Sequence, residues 1–209
     1  MGLKNEEILI EKAKSGDTNA FEVLIINYEK LIYNVIYKMM GNPEDTYDLS
    51  QEVFIKVYTK LDQFDGTSQF STWLYRIATN TCLDELRRRK GKEPFSIDQA
   101  IESKDGYIHC EQEDKNENVE GIIIEKEKAR IIQMALNEVN EKNRIVLILR
   151  EIEQLSYDEI AESLDISLGT VKSRISRGRE QIKKILTQDK EPFSSYFRQK
   201  CKGRRRHEM

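Results

Sequence analysis

The sequence predicts an all-α protein: two small helical domains joined by a flexible acidic linker, the second domain carrying a helix-turn-helix. Three observations carry that expectation. Apolar residues recur at three- and four-residue spacing in several runs, and no strand-like alternation of useful length appears. The three prolines, Pro43, Pro94 and Pro192, fall between these runs and never inside them. Charged residues are 34% of the 209 and apolar ones only 38%, which favours narrow buried stripes with charged outer faces over one large core. Ile, Leu, Val and Phe still make up about 26% of the chain, above the roughly 20% that marks disordered sequences.

The elements follow in order. Gly16 ends a first short helix, and Asp17-Thr18-Asn19 offers caps for the next. Phe21, Leu24, Ile25, Tyr28, Ile32, Val35, Ile36 and Met39 form one stripe of a long amphipathic helix that Gly41-Asn42-Pro43 stops. A second helix, from about 44 to 62, gathers Leu49, Val53, Phe54, Val57, Tyr58 and Leu61 on an apolar face, with Asp48, Gln51, Glu52, Ile55 and Thr59 opposite. Phe64 to Ser68 reads as a turn. The next helix buries Phe70, Leu74, Ile77 and Thr81, turns Tyr75, Arg76 and Thr79 outward with Trp73 at the margin, and ends in Arg87-Arg88-Arg89-Lys90-Gly91. From Gly91 to about Glu125 periodicity fails and acids dominate. Helices resume near Ile124 with Ile131, Ala135 and Val139, break over Asn140–Asn143, and continue through Val146, Leu147 and Arg150. The domains expected are therefore 1–90 and 126–187, with a linker over 91–125 and a basic tail over 188–209.

The strongest local pattern lies in the second domain. Ser156-Tyr-Asp-Glu159 is a capping box, and Ile160, Ala161 and Leu164 give the short helix after it one buried face. Asp165-Ile166-Ser167 is a tight turn. Asp165 stands where glycine is common, but aspartate tolerates the left-handed conformation better than most residues. Ser167 caps a helix that buries Val171, Ile175, Gly178, Ile182 and Ile185, and Ala161 is the small residue where the two helices cross. The exposed side of the second helix carries Thr170, Lys172, Ser173, Ser176 and Arg177, flanked by Arg174 and Arg179. Between Leu168 and Leu186 there are six basic residues and one acid. Hydroxyl and guanidinium groups on such a helix reach base edges while flanking cations meet phosphates, so duplex DNA binding is favoured over a merely solvated basic helix.

Charge distribution agrees. The net charge of −3 divides into −2 over 1–90, −7 over 91–125, +2 over 126–187 and +4 over 188–209, which points to a local polyanion site in the C-terminal third. Other classes are excluded at this level. No run approaches the roughly 18 apolar residues of a membrane span, and the N-terminus has no apolar signal segment. Cys82, Cys110 and Cys201 lie far apart, as expected of a reducing cytoplasm. No glycine-rich phosphate loop and no metal-ligand cluster occurs, and both histidines fall in the linker and tail, so neither catalytic residues, nor a small-molecule substrate, a cofactor or a metal is expected. His109-Cys110, Cys201 and His207 are too scattered for a zinc site. In the tail, Phe193, Tyr196 and Phe197 at i, i+3 and i+4 allow either a frayed basic end or a short amphipathic helix.

Two N-terminal surfaces remain open on residue chemistry alone. Ile55 amid Asp48, Gln51 and Glu52 tilts that face toward protein docking over plain solvation. Trp73, Tyr75 and Arg76 suit either a core anchor or a platform for unstacked bases.

The segments DLSQEVFIKVY, FDGTSQFSTWLYRIATNTCLDELRRRK and LREIEQLSYDEIAESLDISLGTVKSRISRGRE closely resemble the bacterial sigma-seventy superfamily, specifically its extracytoplasmic-function (ECF) type, over roughly residues 18–90 and 126–187. The resemblance implies a non-catalytic specificity subunit that brings core RNA polymerase to promoter DNA and melts it. Asp48, Gln51, Glu52 and Ile55 would dock on the beta-prime clamp helices. The loop Asp65, Gly66, Thr67, Ser68, Gln69 and Phe70, with Asn80 and Asp84, would capture a flipped base of the minus-ten element. Trp73, Tyr75 and Arg76 would hold the opened strand, and Arg87, Arg88, Arg89 and Lys90 the duplex phosphates. Thr170, Lys172, Ser173, Arg174, Ser176 and Arg177 would read the minus-thirty-five element, with Arg150 and Tyr157 on its backbone. The linker would pass along the polymerase's RNA-exit path. An anti-sigma factor is the regulator the resemblance implies, and through it any membrane contact would be indirect. The competing expectation is a stand-alone helix-turn-helix regulator that binds duplex DNA without polymerase; such a protein needs neither the 71–78 segment nor the Asp48–Ile55 face.

Overall fold

Side-chain caps decide where the helices begin. The computed structural model describes residues 5–92 and 119–187, with side chains over 5–90 and 127–187. Helix α1 spans Glu6–Lys14 and α2 spans Thr18–Met40. The Asp17 carboxylate accepts from the amides of Asn19 and Ala20 at 3.0 and 3.1 Å, satisfying two orphan donors of α2. Asn42 Oδ1 accepts from the Glu44 amide at 2.8 Å at the start of α3, Pro43–Lys60, with Pro43 in the first turn. A 3₁₀ turn, Leu61–Gln63, and the 64–69 loop lead to α4, Phe70–Lys92. After the undescribed 93–118 come α5, Val119–Glu138, and α6, Glu141–Leu147, which runs into a π-helical turn, Ile148–Ile152. Helices α7, Tyr157–Leu164, and α8, Leu168–Thr187, complete the fold. Among the described residues there is no strand, and no helix is long and apolar enough to cross a membrane.

Several boundaries differ from the sequence reading. Helix α5 starts at Val119, inside the stretch expected to be linker, because Ile122-Ile123-Ile124 belongs to its helical run. The break around Asn140 is narrower than expected: Asn140 caps α6 through the Lys142 amide at 3.1 Å, and Asn143 is already helical and buried. The π turn had no sequence signal. The remaining linker residues with His109 and Cys110, and the tail with Phe193, Tyr196, Phe197, Cys201 and His207, lie outside the described residues.

Helices α1–α4 form one helical domain around α2, whose Leu24, Ile32, Val35, Ile36 and Met39 are fully buried. Helices α5–α8 form the second, with Ile145, Ile148, Leu149 and Ile160 at its centre. Each such side chain contributes about 1.5–3 kcal/mol of hydrophobic stabilisation. The two domains are packed together: α4 lies on α7, and α2 meets α5, α6 and the π turn, so the buried core runs continuously across both.

Polar bridges reinforce this seam. The buried Arg144 guanidinium donates to Met39 O at 2.7 Å, Asn137 O at 3.0 Å and Val139 O at 3.2 Å, occupying carbonyls from both domains. Gly41, which ends α2 at φ 74, also sits where a Cβ would lie 2.7 Å from the Asn137 side chain of α5.

Candidate nucleic-acid and protein interfaces

The helix-turn-helix is built as its sequence requires. Ser156 Oγ accepts from the Glu159 amide at 3.2 Å, and the Glu159 carboxylate accepts from the Ser156 amide at 2.7 Å. Those donors hold the Glu159 carboxyl below its ordinary pKa. Asp165 takes the left-handed conformation, φ 51 and ψ 52, that closes the turn, and Ser167 Oγ accepts from the Thr170 amide at 3.2 Å. Ala161 is half-buried, and the tightest approach lies elsewhere: a Cβ on Gly178 would meet Leu147 of α6 at 2.7 Å. Lys172, Ser176 and Arg177 are exposed on α8, with Thr170, Ser173 and Arg174 partly so. Arg150 is less free than expected. It donates to Leu155 O at 2.7 Å and lies over the Tyr157 ring at 5.0 Å, which makes those two residues one unit.

On α3, Asp48, Gln51, Glu52 and Ile55 all face solvent, and Ile55 is 64% exposed. Two tyrosines join them. Tyr47 is 58% and Tyr58 50% exposed, so Tyr58 is not the core residue the sequence suggested; its ring meets that of Phe21 edge-on at 4.9 Å. Tyr47, Gln51, Ile55 and Tyr58 recur at helical spacing, a signal the sequence held and the apolar count obscured.

The 64–69 loop is an Asx turn. Asp65 Oδ1 accepts from the Thr67 amide at 3.0 Å and the Thr67 hydroxyl at 2.7 Å, and these bonds lower the Asp65 pKa. Gly66 at φ 74 completes it; Asp65, Gly66, Thr67 and Gln69 are exposed and Ser68 partly so. Phe70 lies in the buried stripe that the periodicity of its helix predicts, not on the open loop surface. It is 1% exposed, packed against Tyr28, Phe64 and Trp73 at ring separations of 5.3–5.7 Å. Trp73 is partly buried in the same cluster.

Tyr75 is the larger correction. Expected on an outward face, it is 4% exposed, and its hydroxyl donates to Glu153 of the second domain at 3.0 Å. Thr79 is buried too, bonding Tyr75 O at 2.6 Å. The helical wheel placed them opposite the stripe of Phe70, Leu74, Ile77 and Thr81, but α4 also packs on α7. Burial lifts the pKa of Glu153 above the ordinary carboxylate value and pushes that of Tyr75 up as well. Residues Ile152–Leu155 roof a cleft of about 1030 Å³ whose floor includes Gly66–Thr72.

Arg76 and Asn80 remain exposed. The basic end of α4 is ion-paired throughout: Arg87 with Asp84 at 2.7 Å, Arg88 with Glu85 at 2.6 Å, Arg89 with Asp45 at 2.7 Å, and Lys90 with Glu141 of the second domain at 2.8 Å. Arg88 and Arg89 together hold Glu85 at a pKa of about 2.

Two helical domains, one with an exposed amphipathic α3 face and one with a basic helix-turn-helix, define a DNA-directed adaptor protein. The Sigma-70 region 2 family model matches residues 24–92, and the Sigma-70, region 4 model matches residues 129–182. The ECF RNA polymerase sigma factor SigW of Bacillus subtilis is 38% identical over 178 residues, 85% of this chain and 94% of that protein. The ECF RNA polymerase sigma-E factor of Escherichia coli is 36% identical over 177 residues, 85% and 92% of the two chains. The fold is similar to CnrH, solved in complex with the cytosolic domain of CnrY, with TM-score 0.63, 25% identity, and coverage of 90% of this chain and 100% of that one. It is also similar to the sigma factor RpoE of Bartonella quintana, solved with the anti-sigma factor NepR, with TM-score 0.61, 22% identity, and coverage of 81% and 98%. The chain belongs to the ECF RNA polymerase sigma factors.

Proposed function

We propose that the chain directs promoter recognition and melting by core RNA polymerase, with labour divided between its two domains. The 1–90 domain docks on polymerase through Asp48, Gln51, Glu52 and Ile55, with Tyr47 and Tyr58 extending that face. The 64–69 loop with Asn80 and Arg76 engages the minus-ten strand. The 126–187 domain reads the minus-thirty-five element through α8. The protein acts as a specificity subunit and not as an enzyme, in the compartment that holds polymerase and DNA. An anti-sigma partner, bound as the cytosolic domain of CnrY is to CnrH, fits the same reading.

The observation that carries this reading is the coexistence of two unlike surfaces. An exposed tyrosine–isoleucine–carboxylate face on α3 is of no use to a simple repressor, and it shares the chain with the hydroxyl and guanidinium face of α8. Mixing the protein with bacterial core RNA polymerase on a sizing column tests it. Co-elution and run-off transcription are expected, with co-elution weakened by joint Asp48→Ala and Glu52→Ala replacement. No co-elution alongside tight binding to duplex DNA alone would replace this reading with the stand-alone regulator.

A further inference from the structure

Helix α8 does not face solvent alone. Beside it lies a notch of about 500 Å³. One wall is α8, through Thr170, Ser173, Arg174 and Arg177, and the other is the start of α6, through Asn140 and Lys142. The walls are some thirty residues apart in sequence, so nothing in the helix-turn-helix pattern signals their meeting. No carboxylate lines the notch among the described residues. The side chains of Lys142, Arg174 and Arg177 also have no hydrogen-bond or ion-pair partner among them, unlike the arginines that end α4.

Gathering three cations without a counter-charge is unfavourable unless an anion arrives to take them. The notch also has its donors arranged in advance. Asn143 is 8% exposed, and its Nδ2 donates to Gln181 Oε1 at 3.0 Å, which leaves Gln181 Nε2 as a donor toward the opening. Hydroxyls from Thr170 and Ser173 complete a lining of cations, amides and alcohols, the set that holds sugar–phosphate backbone.

We propose that this notch seats a DNA backbone strand beside the bases that α8 reads. Lys142 and Gln181 are its phosphate contacts, and Asn143 is the positioning residue that orients Gln181. The proposal rests on α8 being the minus-thirty-five reader. It adds a second wall to that reader: the recognition helix sets the sequence, and α6 sets how deeply and in what register the duplex sits.

The test uses the full chain assembled with core RNA polymerase, binding a duplex that carries only the minus-thirty-five element, titrated from 50 to 200 mM salt. Lys142→Ala makes the slope of log affinity against log salt shallower by about 0.9, the value of one phosphate contact, equally for the cognate element and for altered ones. Gln181→Glu keeps the side-chain shape, places a carboxylate in the notch and weakens binding several-fold to every sequence. Replacing the contacted phosphate by an uncharged methylphosphonate removes the effect of Lys142→Ala. Lys172→Ala is the control, because Lys172 is exposed on the reading face of α8 and does not line the notch, so its loss relaxes discrimination at one base. If both notch variants bind like the parent while Lys172→Ala still relaxes discrimination, the second wall is refuted and α8 stands as the reader. If Lys172→Ala leaves discrimination intact, the reading of α8 itself fails.

Discussion

The basic end of α4 and the basic face of α8 carry the same chemistry in opposite states. On α4, Arg87, Arg88, Arg89 and Lys90 are each held by a carboxylate, and Tyr75 and Thr79 of the same helix are buried under α7. On α8, Lys172, Arg174 and Arg177 have no such partner among the described residues. The difference lies in what packs over each surface. A free cationic face meets duplex DNA at once, steered by long-range attraction that salt weakens. A paired face first has to give up its carboxylates, and Tyr75 reaches a base only if the α4–α7 contact parts. Under the proposed division of labour, the minus-thirty-five surface is ready in this arrangement; on the minus-ten side the 64–69 loop, Arg76 and Asn80 stay open while Tyr75 is sealed against the other domain.

The seam between the domains is therefore where the comparison breaks, and Arg144 is its strongest point. Arg144→Ala leaves the carbonyls of Met39, Asn137 and Val139 without their donor in a buried place. Expected destabilisation is about 3 kcal/mol, since each unsatisfied buried group costs roughly 1–3 kcal/mol and relaxation recovers part of it. Urea unfolding monitored in both domains measures it, and a loss under 1 kcal/mol would show that the seam does not depend on this residue. Tyr75→Phe comes next, at about 1–2 kcal/mol, because it strips a half-buried Glu153 of its donor.

Glu153 also gives the seam a pH dependence opposite in sign to that of the α4 cluster. A carboxyl whose pKa is raised on folding contributes stability that is complete below its unfolded value, about 4.3, and is lost as pH rises through the raised value. Glu85, held at about 2, contributes stability present above its unfolded value and lost as pH falls toward 2. Labels placed across the seam should thus report tighter closure on acidifying from neutral toward the ordinary carboxylate range, and Glu153→Gln should abolish the change. A seam indifferent to pH in the parent protein would remove Glu153 from the account.

Much of this was legible in the sequence because local rules set it. Asp17 and Ser156 cap helices whose starts depend on a few neighbouring atoms. Asp165 takes the left-handed turn its side chain tolerates. The exposed Asp48–Ile55 face and α8 face follow from periodicity within one helix. The failures share a different cause. Tyr75 and Thr79 fall opposite the Phe70–Leu74–Ile77–Thr81 stripe on a helical wheel, and a wheel assumes one buried face; α4 has two, because a second domain covers the other. Arg144 has no local signal for burial, because the carbonyl at the end of α2 that it meets is 105 residues away in sequence. The notch wall at Lys142 depends likewise on a meeting of distant segments.

The smallest effect isolates that tertiary contribution. Lys90 and Arg89 are neighbours at the end of α4, yet Lys90 pairs across the seam with Glu141 while Arg89 pairs within its own domain with Asp45. The Lys90 ammonium is 66% exposed, so its pair is worth about 0.5 kcal/mol and is screened by salt. Lys90→Ala should widen the labelled distance across the seam at low salt and have no effect near 1 M, where the Debye length is about 3 Å. Arg89→Ala should lower the stability of the first domain by a similar amount and leave the distance across the seam unchanged at any salt. If the two variants behave alike, the pairing of the basic end of α4 is a property of that helix surface alone, and the second domain has no part in holding it.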